Sequence, residues 1–143
     1  MTDHDPVASA GDWNRAVIEE FRANAGAVGG QFAGMSLLLL HTNGAKSGLE
    51  RINPVAYQRV GDDYAVFASK AGAPSDPDWF RNLSAHPEVT VEVAGETFPA
   101  TARVTEGEER ERIWEQQKRD FPGFAEYEEK TARRIPVVVL SRA

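Results

Sequence analysis

Several β-rich runs in this chain are joined by connections too short for anything but a hairpin. Asn43-Gly44 opens the connection after a run near residues 35–42, and Gly61-Asp62-Asp63 separates runs near 51–59 and 64–69. Ala94-Gly95-Glu96 separates runs near 88–94 and 97–105, and a last run lies near 135–141. A parallel crossover needs about a dozen residues, so these neighbours pair antiparallel. The expected fold is mainly β with helices: about six antiparallel strands that close or cover their own edges. Pro54 has no N–H for a ladder bond, which predicts a sheet edge or a bulge in the second run.

Helices fill the intervals. Trp13, Val17 and Phe21, with Ile18 beside them, make an apolar stripe on a helix starting at Asp12 and ending before Gly26. The stripe packs on the domain or serves as a lid, a dimer contact or a weak membrane-surface contact. Residues 1–11 read as a loose tail, and Gly29, Gly30 and Gly34 mark a mobile segment after the helix. The organisation is an N-terminal tail and helix (1–34) followed by one barrel domain (35–143). Asp76-Pro77 has the form of an N-cap and first-turn proline for a short helix through Trp79 and Leu83. A charged helix follows at 107–120, and Pro122 divides it from another at about 124–132. Glu108, Glu109, Arg110, Glu111 and Arg112 read as its solvated face, with Trp114 on its core side.

Composition removes most chemistries. The formal net charge of −6 argues against a nucleic-acid partner. There is no cysteine, hence no thiol nucleophile or thiolate metal site, and the three histidines His4, His41 and His86 are too scattered for a metal centre. His41 and His86 read as hydrogen-bonded structural residues. No run approaches the roughly 20 apolar residues of a membrane span, and the polar, acidic start is unlike a signal peptide. A cytoplasmic protein is expected. No Gly-x-Gly-x-x-Gly lies between a strand and a helix, and Gly44-Ala45-Lys46-Ser47 is followed by a strand, so neither a Rossmann site nor a phosphate loop fits. What remains is a set of cations, Lys46, Arg51, Lys70 and Arg81, that an antiparallel barrel can gather at one end. With free N–H groups at Gly44, Ser47 and Gly48 they suit a phosphate or carboxylate ligand.

Four blocks carry a resemblance. Asn43-Gly44-Ala45-Lys46-Ser47-Gly48 with Arg51-Ile52-Asn53-Pro54 resembles T-x-G-R-K-[ST]-G-x-x-R-x-N-P. Ser69-Lys70-Ala71-Gly72 resembles S-K-G-G, and Pro77-Asp78-Trp79-Phe80-Arg81-Asn82-Leu83 to His86-Pro87-Glu88-Val89 resembles P-x-W-Y-x-N-L and N-P-x-V. Pro122–Tyr127 and Thr131–Val137 complete the order. The chain is similar to the deazaflavin (F420)-dependent nitroreductase family over about residues 35–141.

That resemblance implies a split β-barrel, like the FMN-binding split barrels, that uses reduced coenzyme F420 as hydride donor. By matching position, Lys46, Ser47 and Arg51 would hold the cofactor's phosphate and glutamyl carboxylates. Asn53, Pro54 and Val55 would line the deazaflavin, with Ser69 and Lys70 on the adjacent strand, and Asp78, Trp79 and Asn82 would close its other side. Phe124 would face both cofactor and substrate, in a pocket with Ala56, Phe121 and Tyr127. Tyr127 is the candidate proton donor. Bidentate arginines and several cations suit a polyanionic tail, and the cofactor brings the hydride, so no protein nucleophile is needed. The arginine usual before the lysine is Ala45, and the usual tyrosine after the tryptophan is Phe80. With few phenols near the ring, an enone, unsaturated lactone or quinone acceptor is favoured over a nitroaromatic. An FMN oxidoreductase and a non-catalytic F420 carrier are the alternatives.

Overall fold

Strand order in the computed structural model, which describes residues 12–23 and 36–143, is that of a closed antiparallel barrel, β1-β2-β3-β6-β5-β4. The strands are β1 (Leu37–Asn43), β2 (Glu50–Val60), β3 (Asp63–Phe67), β4 (Glu88–Val93), β5 (Glu96–Val104) and β6 (Val137–Arg142). The helices are α1 (Asp12–Ala23), α2 (Asp78–Ala85), α3 (Gly107–Asp120) and α4 (Gly123–Lys130). Three hairpins come from the short connections; β6 inserts between β3 and β5, and β1 closes onto β4.

Side-chain alternation explains the two aliphatic runs. Leu38 and Leu40 point into the barrel with Val66, Val91 and Val138, whereas Leu37 and Leu39 point outward beneath α1. In β6, Val138 and Leu140 point inward, and Val137 and Val139 lie under α3 and α4. Strands covered on both faces read as continuous apolar sequence. β4, covered on one face, alternates instead.

The apolar stripe of α1 is spent on the barrel. Val17, Ile18 and Phe21 are buried, Ile18 and Phe21 clustering with Leu37, Leu39 and Ile52. Burial stabilises by roughly 2–3 kcal/mol per large side chain. These residues are therefore not offered to a membrane. The side chain of Trp13, the tail at 1–11 and Gly26, Gly29, Gly30 and Gly34 lie outside the described residues. Among the described residues no helix is long and apolar enough to cross a membrane.

A charged latch holds the end of α1. Arg22 donates through Nε and Nη2 to the two Glu92 oxygens at 3.1 and 2.6 Å, and Glu92 Oε2 also meets His41 Nε2 at 2.5 Å. His41 Nδ1 lies 3.4 Å from Glu50, so His41 is hydrogen-bonded structure, as expected. Burial pushes the Glu92 carboxyl up, but the hydrogen bonds and charges of Arg22 and His41 outweigh it and hold it below the ordinary carboxylate range. A depressed carboxylate contributes stability above its unfolded pKa of about 4.3, and that stability is lost as pH falls through the lower folded value. Glu92→Gln should therefore flatten the acid limb of a plot of thermal midpoint against pH. Parallel curves for variant and wild type would show that the latch carries no pH dependence.

Three local expectations need correction. α2 starts at Asp78 with Pro77 at the cap position and no side-chain cap, because the Asp76 carboxylate is taken by Arg133 Nη1 at 2.8 Å. Arg110 is not on a solvated face: it is 5% exposed, donates to the Ile135 carbonyl at 2.6 Å and lies 5.4 Å over the Trp114 ring. Its neighbours Glu108, Glu111 and Arg112 are exposed. The third strand ends at Phe67 rather than running to 69. Trp114 is a core residue, fully buried.

Candidate active site at the open edge of β2

β2 outruns its neighbour. It pairs with β1 along Glu50–Ala56, but with β3 only over Tyr57–Val60. The β1 register is continuous, so Pro54 marks an edge and not a bulge. Tyr57 N–H donates to the Ser36 carbonyl at 3.0 Å, which points the odd-numbered peptide groups of β2 toward β1. The peptide groups of Ile52 and Pro54 then face the gap, where the missing proline N–H costs no ladder bond.

The far side of the gap is the segment after β3. Ala68 N–H still bonds the Pro136 carbonyl at 3.0 Å, then the chain turns through a 3-10 turn at Lys70–Gly72. Ser69 is buried and Lys70 exposed. Lys70 has φ +46°, a left-handed conformation that costs a side-chain-bearing residue about 1–2 kcal/mol. Gly72, at φ +81°, lies against α4 so closely that a Cβ would stand 2.9 Å from Lys130 Cβ and 3.0 Å from the Tyr127 carbonyl.

One end of the gap is the β1–β2 turn. Gly44 N–H donates to the Leu49 carbonyl at 2.8 Å and Gly48 N–H to the Gly44 carbonyl at 2.9 Å, so these two groups are not free for an anion as expected. The turn consumes them to close itself. Ser47 Oγ accepts from Leu49 N–H at 3.2 Å. A Cβ on Gly44 would meet that Oγ at 2.6 Å, so a larger residue there would have to displace the Ser47 hydroxyl. Asn82 on α2 ties the turn down: Nδ2 donates to Thr42 Oγ1 at 3.1 Å and Oδ1 accepts from Ala45 N–H at 3.0 Å. Buried with its amide committed to both, Asn82 anchors the turn that carries Lys46. Lys46 is exposed, and neither it nor Lys70 makes an ion pair among the described residues. Arg51 is half-buried at the start of β2, and Arg81 pairs with Asp78 at 2.7 Å on the surface of α2.

The outer face supplies an apolar wall. Ala56, Phe121, Phe124 and Tyr127 fall into one cluster with Phe67 and Trp114. Phe124 is 5% exposed and makes edge contacts with Phe67, Trp114 and Tyr127 at 5.7, 6.2 and 5.3 Å, so it backs the wall. Tyr127 and Phe121 are half-buried in front of it. Trp114 Nε1 donates to Glu128 at 2.5 Å, and Lys118 reaches the same carboxylate at 3.1 Å. Burial raises the Glu128 carboxyl, but these hydrogen bonds outweigh it and hold it low.

Trp79 and Val55, both expected at the cofactor, face the barrel interior. Trp79 is buried in the barrel interior with Leu83, which makes it a packing residue. Val55 also packs on the interior cluster, and Asn53 shares its face of β2. Pro54 and Ala56 occupy the outer face, toward α1 and the aromatic wall. No local signal separates Arg133 from its neighbour Arg134, and only the fold shows which one turns inward.

These surroundings bring backbone polar groups, cationic side chains and an apolar aromatic face together. Open peptide groups can bond the polar rim of a ring system, two lysines with no ion pair among the described residues can meet negative charge, and the aromatic wall leaves one face apolar. The family model for F420H(2)-dependent quinone reductases matches residues 13–142. The chain belongs to this F420H(2)-dependent quinone reductase family. It is 36% identical over 126 residues to an F420H(2)-dependent quinone reductase of Mycobacterium tuberculosis (strain ATCC 25618 / H37Rv), with 85% of each chain covered. A solved F420-H2 dependent reductase superposes with TM-score 0.68 at 42% identity, over 73% of this chain and 93% of that one. A structure described as a domain-swapped dimer superposes with TM-score 0.70 at 36% identity, over 91% and 98%. A heme storage protein of Vibrio cholerae shares the fold alone, at TM-score 0.59 and 18% identity. The family uses reduced F420, which decides against FMN, and its members are oxidoreductases.

Proposed function

We propose that the open edge of β2 holds F420H2 and that the Phe121–Phe124–Tyr127 wall receives the quinone. The observation that carries this reading is the junction of the two at Ala56, which ends the unpaired stretch of β2 and packs against the aromatic cluster. Lys46 and Arg51, with Ser47, lie where the anionic tail would run, and Ile52 and Pro54 offer peptide groups to the ring. Asn53 and Val55 border the ring from the interior side, with Ser69 and Lys70 facing them. When bound, reduced F420 supplies the hydride. The protein's part is to stack donor and acceptor at near-attack distance and exclude water from the apolar side. Water or the Tyr127 phenol completes the quinol with a proton. Electron-poor enones and lactones fit the same flat, phenol-poor wall better than a nitroaromatic.

Fluorescence titration of the protein with F420, followed by oxidation of F420H2 with menadione, tests the reading. Dissociation constants of about 10 µM or tighter with quinone-dependent oxidation are expected. Binding without turnover on any quinone would make the chain a carrier of F420. Absence of binding would sink the proposed site.

A further inference from the structure

The Arg133 side chain, between α4 and β6, is held by one short segment of chain. Its Nη2 donates to the carbonyls of Ala68 and Ser69 at 3.1 and 3.0 Å. Nε donates to the Ala73 carbonyl at 3.0 Å, and Nη1 to Asp76 Oδ1 at 2.8 Å. The four acceptors bracket Lys70, two before it and two after. Lys70 is one of two non-glycine residues with positive φ among the described residues, at +46°. The other, Ala94, sits in a hairpin turn next to Gly95, where such a conformation is ordinary. Lys70 is in no hairpin. A side chain in the left-handed region persists only where its surroundings hold it.

We propose that Arg133 is a positioning residue for F420 binding, clamping the chain on both sides of Lys70 so that the backbone carrying the Lys70 side chain is held at the open edge of β2. The inference rests on the assignment of Lys70 to the cofactor site. Four of the five Arg133 N–H groups are spent on the segment itself, so its part is to hold the chain and not the cofactor. The planar fork matters: acceptors on three sides of a guanidinium cannot be spanned by the single ammonium of a lysine. The same clamp sets the spacing between cofactor and substrate wall, because the segment leans on α4 through Gly72.

A double-mutant cycle tests it, with F420 dissociation constants from fluorescence titration and a thermal midpoint for each protein. Lys70→Ala should weaken binding about tenfold in the wild-type background and less than about twofold in Arg133→Gln, because an unclamped lysine has little left to lose. A full tenfold loss in both backgrounds would overturn the inference and leave the site assignment standing. An unchanged affinity for Lys70→Ala in the wild-type background would overturn the assignment, and the inference with it. Arg133→Lys should bind as weakly as Arg133→Gln; wild-type affinity in that variant would overturn the fork argument. If Arg133→Gln does not fold, Asp76→Ala removes one of the four contacts, and its cycle with Lys70→Ala must show coupling, the absence of which overturns the inference.

Discussion

Combining Lys46→Ala with Lys70→Ala is expected to raise the F420 dissociation constant about a hundredfold, roughly tenfold from each lysine. The two stand on different segments, one in the β1–β2 turn and the other after β3, and neither is spent on an ion pair among the described residues. Acting on different parts of one long anion, they should be close to additive. Both are exposed, so screening bears on their contribution, and the loss should shrink when the titration is repeated at high salt. Bound-state turnover should change far less than affinity. A double variant that binds within about threefold of wild type would place the anionic tail elsewhere.

Trp114→Ala should be the most damaging single substitution to the fold. The indole is fully buried between Phe67 at 5.9 Å and Phe124 at 6.2 Å, lies under the Arg110 guanidinium and bonds Glu128 through its N–H. Truncation removes the packing, leaves a cavity and takes one of its two partners from the Glu128 carboxylate, which keeps Lys118. About 4 kcal/mol of stability is expected to go, with a thermal midpoint lower by roughly 8–16 °C. Phe124 and Tyr127 rest on this residue, so the KM for quinone should rise as well. Trp114→Phe should recover most of the stability but not the Glu128 contact. Urea unfolding of the three proteins separates these outcomes, and a loss under about 1 kcal/mol for Trp114→Ala would show that the wall is supported from elsewhere.

Residues that act through their nearest neighbours in sequence were readable in advance. Gly61-Asp62-Asp63 and Ala94-Gly95-Glu96 announced their hairpins, Pro54 announced an edge or a bulge, of which the fold has the edge, and packing on the domain, one of the readings of the α1 stripe, is what the fold shows. The aromatic wall was legible as residue types and by resemblance, and Ala56, Phe121, Phe124 and Tyr127 do meet in one cluster. Side chains whose partners lie far along the chain were misjudged. Asp76 has the form of a helix cap, but a cap is worth about 1 kcal/mol, and an arginine 57 positions away in sequence claims its carboxylate. Arg110 has the setting of a surface charge, and only the packing of α3 on the 131–136 connection buries it. Gly44 and Gly48 look like free anion donors until their turn closes on itself.

Local sequence alone determined six strands, their hairpin pairings, the helical intervals and the absence of any thiol chemistry, because each rests on interactions spanning a few residues. Tertiary structure decided that β6 enters between β3 and β5, that β2 is left open beside Lys70, and which of two adjacent arginines holds that lysine in place. Those outcomes depend on contacts between segments tens of residues apart, whose geometry exists only once the barrel has closed.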